Sequence, residues 1–168
     1  MGVSGAGKTT VGRLLAESLG WSFHDADDLH PAENVRKMAA GTPLDEADRS
    51  GWLAAVRRLI DERLAATTAG EARGAVVACS ALKRSHRRLL GSARRGVVLV
   101  HLAGTRNRLA ERLRIRRDHW MPPSLLASQL RALEPPESAL VVDVAAPAKE
   151  IARMIAERLG FVRGETAG

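Results

Sequence analysis

The chain predicts an α/β fold, a parallel sheet with helices on both faces, and three observations carry that prediction. Short apolar runs that suit buried strands alternate with longer stretches of helical periodicity. A glycine-rich loop at residues 2–9 runs straight into the first helix. An acidic turn then follows the next strand-like run, at the end of a strand where open α/β sheets place their ligands.

The elements follow in order. Residues 7–19 read as a helix, with Val11, Leu14, Leu15 and Leu19 at helical spacing and Gly20 as its stop. A short strand is expected at 22–25, and Pro31 suits the first turn of the next helix. Residues 46–67 form a long helix with Trp52, Leu53, Val56, Leu59, Ile60 and Leu64 on one face. Gly70 and Gly74 mark a loop, and 75–79 is an apolar run that reads as a buried strand. A helix at 84–91, a strand at 97–102 and an arginine-rich helix at 105–116 come next. Pro122 and Pro123 separate that helix from one at 123–132, and Pro135 and Pro136 break the chain again. A strand at 140–144 and a helix at 147–159 close the pattern. Crossovers between parallel strands are expected to be right-handed. One element is short. A phosphate loop follows a buried strand of about 5–6 residues, yet only Met1 and Gly2 precede Val3. The expectation is a first strand missing or cut short, with the start assigned too late.

Composition limits the function. The 168 residues, 45% hydrophobic and 27% charged, suit one domain, 1–168, that buries about 70% of its unfolded surface. There is no run of about 18 apolar residues and no secretion signal, so neither membrane span nor export is expected. The single cysteine, Cys79, cannot form an internal disulfide; it reads as a small buried residue, and a cytoplasmic setting follows. The net charge of +7 is concentrated between Lys83 and Arg117, where twelve Lys/Arg face one acid, Glu111. Such a stretch suits a polyphosphate, an acidic metabolite or nucleic acid, or it is solvated helix surface. Aromatics make up 3% with no tyrosine, which argues against a nucleic-acid partner.

Gly2-Val3-Ser4-Gly5-Ala6-Gly7-Lys8-Thr9 fits G-x-x-x-x-G-K-[ST] at every fixed position, with Thr10 beyond it. Glycines let backbone N–H groups wrap phosphate oxygens, and the helix start aims its positive end at the same anion. The pattern assigns Lys8 to the β- and γ-phosphates of a nucleoside triphosphate, ATP by choice, and the Thr9 hydroxyl to Mg²⁺. In the acidic turn, two carboxylates two residues apart, Asp25 and Asp27, suit two jobs. One holds water on the metal, and the other orients or deprotonates an attacking hydroxyl. The alternative is a solvated turn in which Asp27 or Asp28 caps the next helix.

Further motifs make the pattern specific. They are DADDLHP at 25–31, Asn34 with Lys37-Met38, GTPLDEADR at 41–49, Trp52-Leu53, CSALK at 79–83, RLRIRRDHWM at 112–121, SLLASQLRALEPP at 124–136 and VVDV at 141–144. With GVSGAGKTT at 2–10, they resemble the gluconate kinase family, in family order over nearly the whole chain. The resemblance implies a fold like nucleoside monophosphate and shikimate kinases: a five-stranded parallel sheet in order 2-3-1-4-5 with a mobile lid, here around 117–123. It implies transfer from ATP to D-gluconate, giving 6-phosphogluconate and ADP. By position, Asp27 would orient the 6-hydroxyl and Asp25 would sit near Mg²⁺. Related enzymes are often dimers, so a homodimer is an expectation of the same kind.

A sugar acid needs a fixed cation. Arg49 offers a bidentate grip, its alternative being a surface ion pair with Asp45, Glu46 or Asp48. Lys83 would point into the crevice, its alternative being simply to begin a helix. His30 is a third substrate candidate, with a structural role as the alternative. Arg112 and Arg116 lie four apart on one helix face and are candidates to neutralise the transferring phosphate. Arg106, Arg108 and Arg114 read as solvated. His119 and Trp120 match the family's His-aromatic pair. The sequence departs from the family at Asp118, at His86 and Arg88, and at Gly51, none of which is expected to touch substrate. The rival readings are another P-loop kinase acting on shikimate, a nucleoside monophosphate or a different sugar acid; a nucleotide-binding protein without turnover; and a basic RNA-binding domain.

Overall fold

A computed structural model describes residues 1–115 and 125–161. Arg116, the lid region 117–123 and the departures and matches at Asp118, His119 and Trp120 lie outside the described residues. Four strands are present among them: β1 (Ser22–Asp25), β2 (Ala75–Ala78), β3 (Val100–Ala103) and β4 (Leu140–Asp143). The helices are α1 (Lys8–Leu19), α2 (Ala32–Ala39), α3 (Glu46–Thr68), α4 (Arg84–Leu89), α5 (Arg106–Ile115), α6 (Leu125–Ala132) and α7 (Ala148–Arg158). Their order matches the alternation read from the sequence. A 3-10 turn at Ala26–Leu29, between β1 and α2, had no sequence signal of its own.

The strands pair in parallel as β1 with β2 and β3 with β4, two separate two-stranded ladders rather than one five-stranded sheet. Met1 and Gly2 lie between the two pairs. The Gly2 N–H donates to Ser80 O at 3.3 Å on one side, and Leu102 N–H donates to Met1 O at 2.9 Å on the other, where the Met1 amine also reaches Val100 O. Two residues are too few for a strand, so the ladder is broken at this point.

Local chemistry accounts for the element ends. α1 stops at Gly20, whose φ of 66° an L side chain resists. α3 begins with a reciprocal capping box: Asp48 N–H donates to Asp45 Oδ1 at 2.8 Å, and Asp45 N–H donates to Asp48 Oδ2 at 3.1 Å. Lys37 Nζ sits 2.6 Å from Asp48 Oδ1, and Asn34 Nδ2 donates to Asp48 O at 2.7 Å, so α2 is tied to the start of α3. The expected strand at 97–102 begins only at Val100, because Val98 is 58% exposed and outside the packed sheet.

The apolar faces make two main clusters. Val11, Leu15 and Ala16 of α1 pack near Ile151, Ala152 and Ile155 of α7, in a cluster that also includes Leu102, Leu109 and Val142. Trp52, Leu53 and Val56 of α3 pack with Ala26, Cys79 and Ala81. Burial pushes the Cys79 thiol up to about 12, so it is an inert apolar filler, as its surroundings in the sequence suggest.

Gly51 lies exposed inside α3, and an added Cβ would meet nothing within 4 Å. Glycine in a helix interior costs about 0.5–1 kcal/mol relative to alanine. Gly51→Ala is therefore expected to raise the chemical-denaturation midpoint, with a gain of about that size. An unchanged or lowered midpoint would show that α3 needs a glycine there.

Candidate active site

The site begins at the first turn of α1. Gly7 takes φ 86° at the N-cap, no side chain caps the helix, and no acid lies in its first turn. The leading N–H groups are thereby left to an anion. Two other glycines are required by close approach. A Cβ at Gly2 would lie 2.7 Å from Leu102 O, and one at Gly5 would lie 2.8 Å from Leu109 O, both with positive φ. Lys8 curls back over the loop, and its Nζ donates to Val3 O at 3.3 Å. Val3 and Ala6 are buried beneath the loop, Thr10 is exposed, and the Ser4 N–H donates to Gln129 Oε1 on α6 at 2.7 Å.

Thr9 and Asp25 are brought together. Thr9 Oγ1 donates to Asp25 Oδ2 at 2.7 Å, while Asp25 Oδ1 accepts the Asp27 N–H at 3.1 Å. Asp25, not Asp27 or Asp28, is thus the residue that caps this turn. A hydroxyl and a carboxylate oxygen beside the phosphate loop suit Mg²⁺, which keeps most of its shell as water and phosphate oxygens. No group of three or more His, Cys, Asp or Glu that could form a full protein cage occurs among the described residues. The Thr9 hydroxyl and the Asp25 carboxylate fit an Mg²⁺ that takes the rest of its shell from water and phosphate.

One pocket joins the rest. Lys8, Asp27, His30, Arg49 and Lys83 all line it, with Ser4, Ser80, Trp52 and an apolar side of Met38, Leu44 and Leu82. Arg49 is placed by the first turn of α3: its Nη1 donates to Asp45 O at 3.3 Å and lies 3.8 Å from Glu46 Oε1. Lys83 is the N-cap of α4 and puts Nζ 2.6 Å from Glu46 Oε1. Arg112 stands over the loop on its other flank, half-buried. Its Nη2 donates to Val144 O at 2.6 Å, and Nη1 would lie 3.8 Å from a Cβ on Gly7. Arg106 and Arg114 are exposed, and Arg108 lies 3.4 Å from Asp143.

The pocket also takes in polar residues that the sequence does not assign to a site, Ser80, Ser128, Gln129 and His86. Ser128 and Gln129 come from α6. His86, expected outside the site, is 5% exposed and lines it, with Nε2 3.0 Å from Glu46 Oε2. The reason is local: α4 turns His86 to the same side as Lys83, three residues earlier, a spacing that is legible in the sequence. Arg88 is exposed.

His30 stacks on Trp52 with ring centroids 4.5 Å apart and planes 9° from parallel, and the indole Nε1 is anchored on Ala26 O at 2.7 Å. The His30 Nδ1 is buried and has no hydrogen-bond partner among the described residues. Burial first, then the Arg49 charge, lowers its pKa from 6.5 to about 4. The unfolded chain therefore binds a proton that the folded chain refuses between those values. Stability from this group is complete above about pH 6.5 and is lost as pH falls toward 4. His30→Gln is expected to flatten the fall in melting temperature over that interval. A slope identical to the parent's would overturn the burial account.

A phosphate loop that opens a helix, with a carboxylate and a row of cations in the adjoining pocket, defines a P-loop small-molecule kinase. The Shikimate kinase family model matches residues 4–159. Gluconokinase of Gluconobacter oxydans (strain 621H) is 48% identical over 136 residues, 81% of this chain and 74% of that one. The crystal structure of a gluconokinase from Sinorhizobium meliloti 1021 is 47% identical, with TM-score 0.76 and coverage of 96% of this chain and 93% of that one. An unliganded sugar kinase from Janibacter sp. HTCC2649 is 36% identical, with TM-score 0.85 and coverage of 96% and 92%. The chain belongs to the gluconokinase family, within the shikimate-kinase-like P-loop kinases, and has the α/β fold of that group.

Proposed function

We propose that this chain phosphorylates D-gluconate at its 6-hydroxyl, using ATP and Mg²⁺ and releasing 6-phosphogluconate and ADP. The observation that carries the reading is that one pocket is lined at once by Lys8, Asp27, Arg49 and Lys83. Phosphate donor, hydroxyl acceptor and acid group each find a partner of the right charge there.

ATP lies along the loop at 2–9, its phosphates on the N–H groups before and within the first turn of α1. Thr9 and Asp25 would hold Mg²⁺, which would supply neutralising charge for the phosphates. Arg49 and Lys83 grip the gluconate carboxylate, and His30 meets a hydroxyl as a neutral ring. Asp27 accepts the 6-hydroxyl proton while that oxygen forms its bond to the γ-phosphorus. The bond from phosphorus to the bridging oxygen breaks, and its electron pair leaves with ADP. Lys8 and Arg112 offset the charge spread over the transferring group. Arg116 would join them, from outside the described residues.

The same reading makes the two strand pairs halves of one parallel sheet in order 2-3-1-4-5, with Met1–Gly2 in the central place. It makes residues 1–168 one kinase domain with a lid around 117–123, acting in the cytoplasm, with a homodimer as the assembly to test. No helix among the described residues is long and apolar enough to cross a membrane. The test is ADP release with ATP, Mg²⁺ and D-gluconate, beside shikimate, AMP and no acceptor. Gluconate-dependent release is the expected result. Release with another acceptor and not with gluconate would leave the kinase class and overturn the substrate.

A further inference from the structure

At the basic end of the pocket, three lining residues share one carboxylate that is not itself part of the lining, Glu46. Glu46 Oε1 lies 2.6 Å from Lys83 Nζ and 3.8 Å from Arg49 Nη1, and Glu46 Oε2 lies 3.0 Å from His86 Nε2. Those three partners line the pocket; they come from two helices, α3 and α4, that meet at its edge. The Glu46 side chain is 60% exposed, whereas the His86 side chain is 7% exposed. The cradle is thus fixed and partly buried, while its occupant sits on the solvent side.

From this arrangement we infer that Glu46 is a resident stand-in for the acceptor's carboxylate, which must displace it from Arg49, Lys83 and His86 to bind. The inference rests on the proposed gluconate reaction and adds two specificity-determining residues to it, Glu46 and His86.

Three arguments support the exchange. Glu46 is the first residue of α3, and the capping box of Asp45 and Asp48 holds that helix start without it. Its side chain can therefore leave without unwinding the helix. The ring of His86 is nearly buried and its hydrogen bond goes to Glu46, so a departing Glu46 leaves a donor that needs a new acceptor. A carboxylate refills that place, while a neutral hydroxyl restores neither the charge nor the two-oxygen geometry. Hydrogen bonds from Lys83 and then His86 also pull the Glu46 pKa down to about 2, as expected for a carboxylate in an anion site. The consequence is selection. An acidic acceptor trades one carboxylate for another, and a neutral polyol must break the Glu46 contacts with nothing equivalent to offer.

The experiment is steady-state kinetics of Glu46→Gln and Glu46→Ala with D-gluconate and, separately, with ATP varied. Loss of the resident carboxylate is expected to lower KM for gluconate about three- to tenfold while KM for ATP stays within twofold, the equivalent of removing a weak internal competitor. The Ala variant guards against a new amide contact from Gln, and matched melting curves verify folding. An unchanged or raised KM for gluconate in both variants overturns the inference, because Glu46 would then be a bystander or a holder of substrate. Failure of the parent chain to use gluconate at all would instead strike the proposed function and is read before either variant.

Discussion

Asp27→Asn is expected to lower kcat by roughly 10²–10⁴, the usual contribution of a positioned general base, while ATP binding stays near that of the parent. Other groups hold the backbone of the turn. Asp25 Oδ1 accepts the backbone N–H of residue 27, and Trp52 Nε1 donates to Ala26 O, so an amide at 27 meets the same backbone. Asn keeps the shape and loses the ability to take the hydroxyl proton. Turnover at saturating gluconate, beside titration with a fluorescent ATP analogue, separates the two effects. A variant that retains more than about a tenth of the parent kcat would remove Asp27 from proton transfer. A parallel loss of ATP binding would mean that the turn supports the phosphate loop through Asp25 and Thr9, which share the 2.7 Å contact.

Much of this site was legible because local rules dictate it. Gly2 and Gly7, the fixed glycines of the loop, both take positive φ in the structure, the condition that makes them readable, and Gly5 between them does the same. Strand ends place ligands, and Asp27 and Lys83 each lie just beyond one. The losses come from longer range. Gln129 arrives from α6, 125 residues after its partner Ser4, and no periodicity links the two. His86 follows Lys83 at helical spacing, but only the place of α4 at the pocket edge gives that spacing a meaning. Glu46 was read only as a possible surface partner of Arg49. It meets Lys83 and His86 as well because α3 and α4 converge, a tertiary fact. Asp25 was read as a neighbour of Mg²⁺, and its capping of the turn needed the observed 3-10 geometry. The sheet is a mixed case: two parallel pairs are present among the described residues, and Met1 and Gly2 reach Leu102 and Ser80 on either side of them without forming a strand.

Arg49→Ala is expected to raise KM for gluconate roughly 10- to 100-fold with KM for ATP unchanged, since a hydrogen bond to a charged group contributes about 1.5–3 kcal/mol. Arg49 sits in the first turn of α3, whose capping box is made by Asp45 and Asp48, so the helix start survives the change. A second readout follows from electrostatics. The Arg49 charge is one of the two causes that lower the His30 pKa, so its removal should raise that value, visible in the imidazole NMR signals. Burial, the larger cause, remains, and the shift should be partial. Arg49→Lys should restore the His30 effect more fully than gluconate affinity, because lysine supplies the charge without the planar fork that grips a carboxylate. Equal losses toward gluconate and ATP would assign Arg49 to the general shape of the pocket instead. A gluconate-specific loss with no movement of the His30 signal would place the guanidinium on the substrate but away from the stacked His30–Trp52 pair.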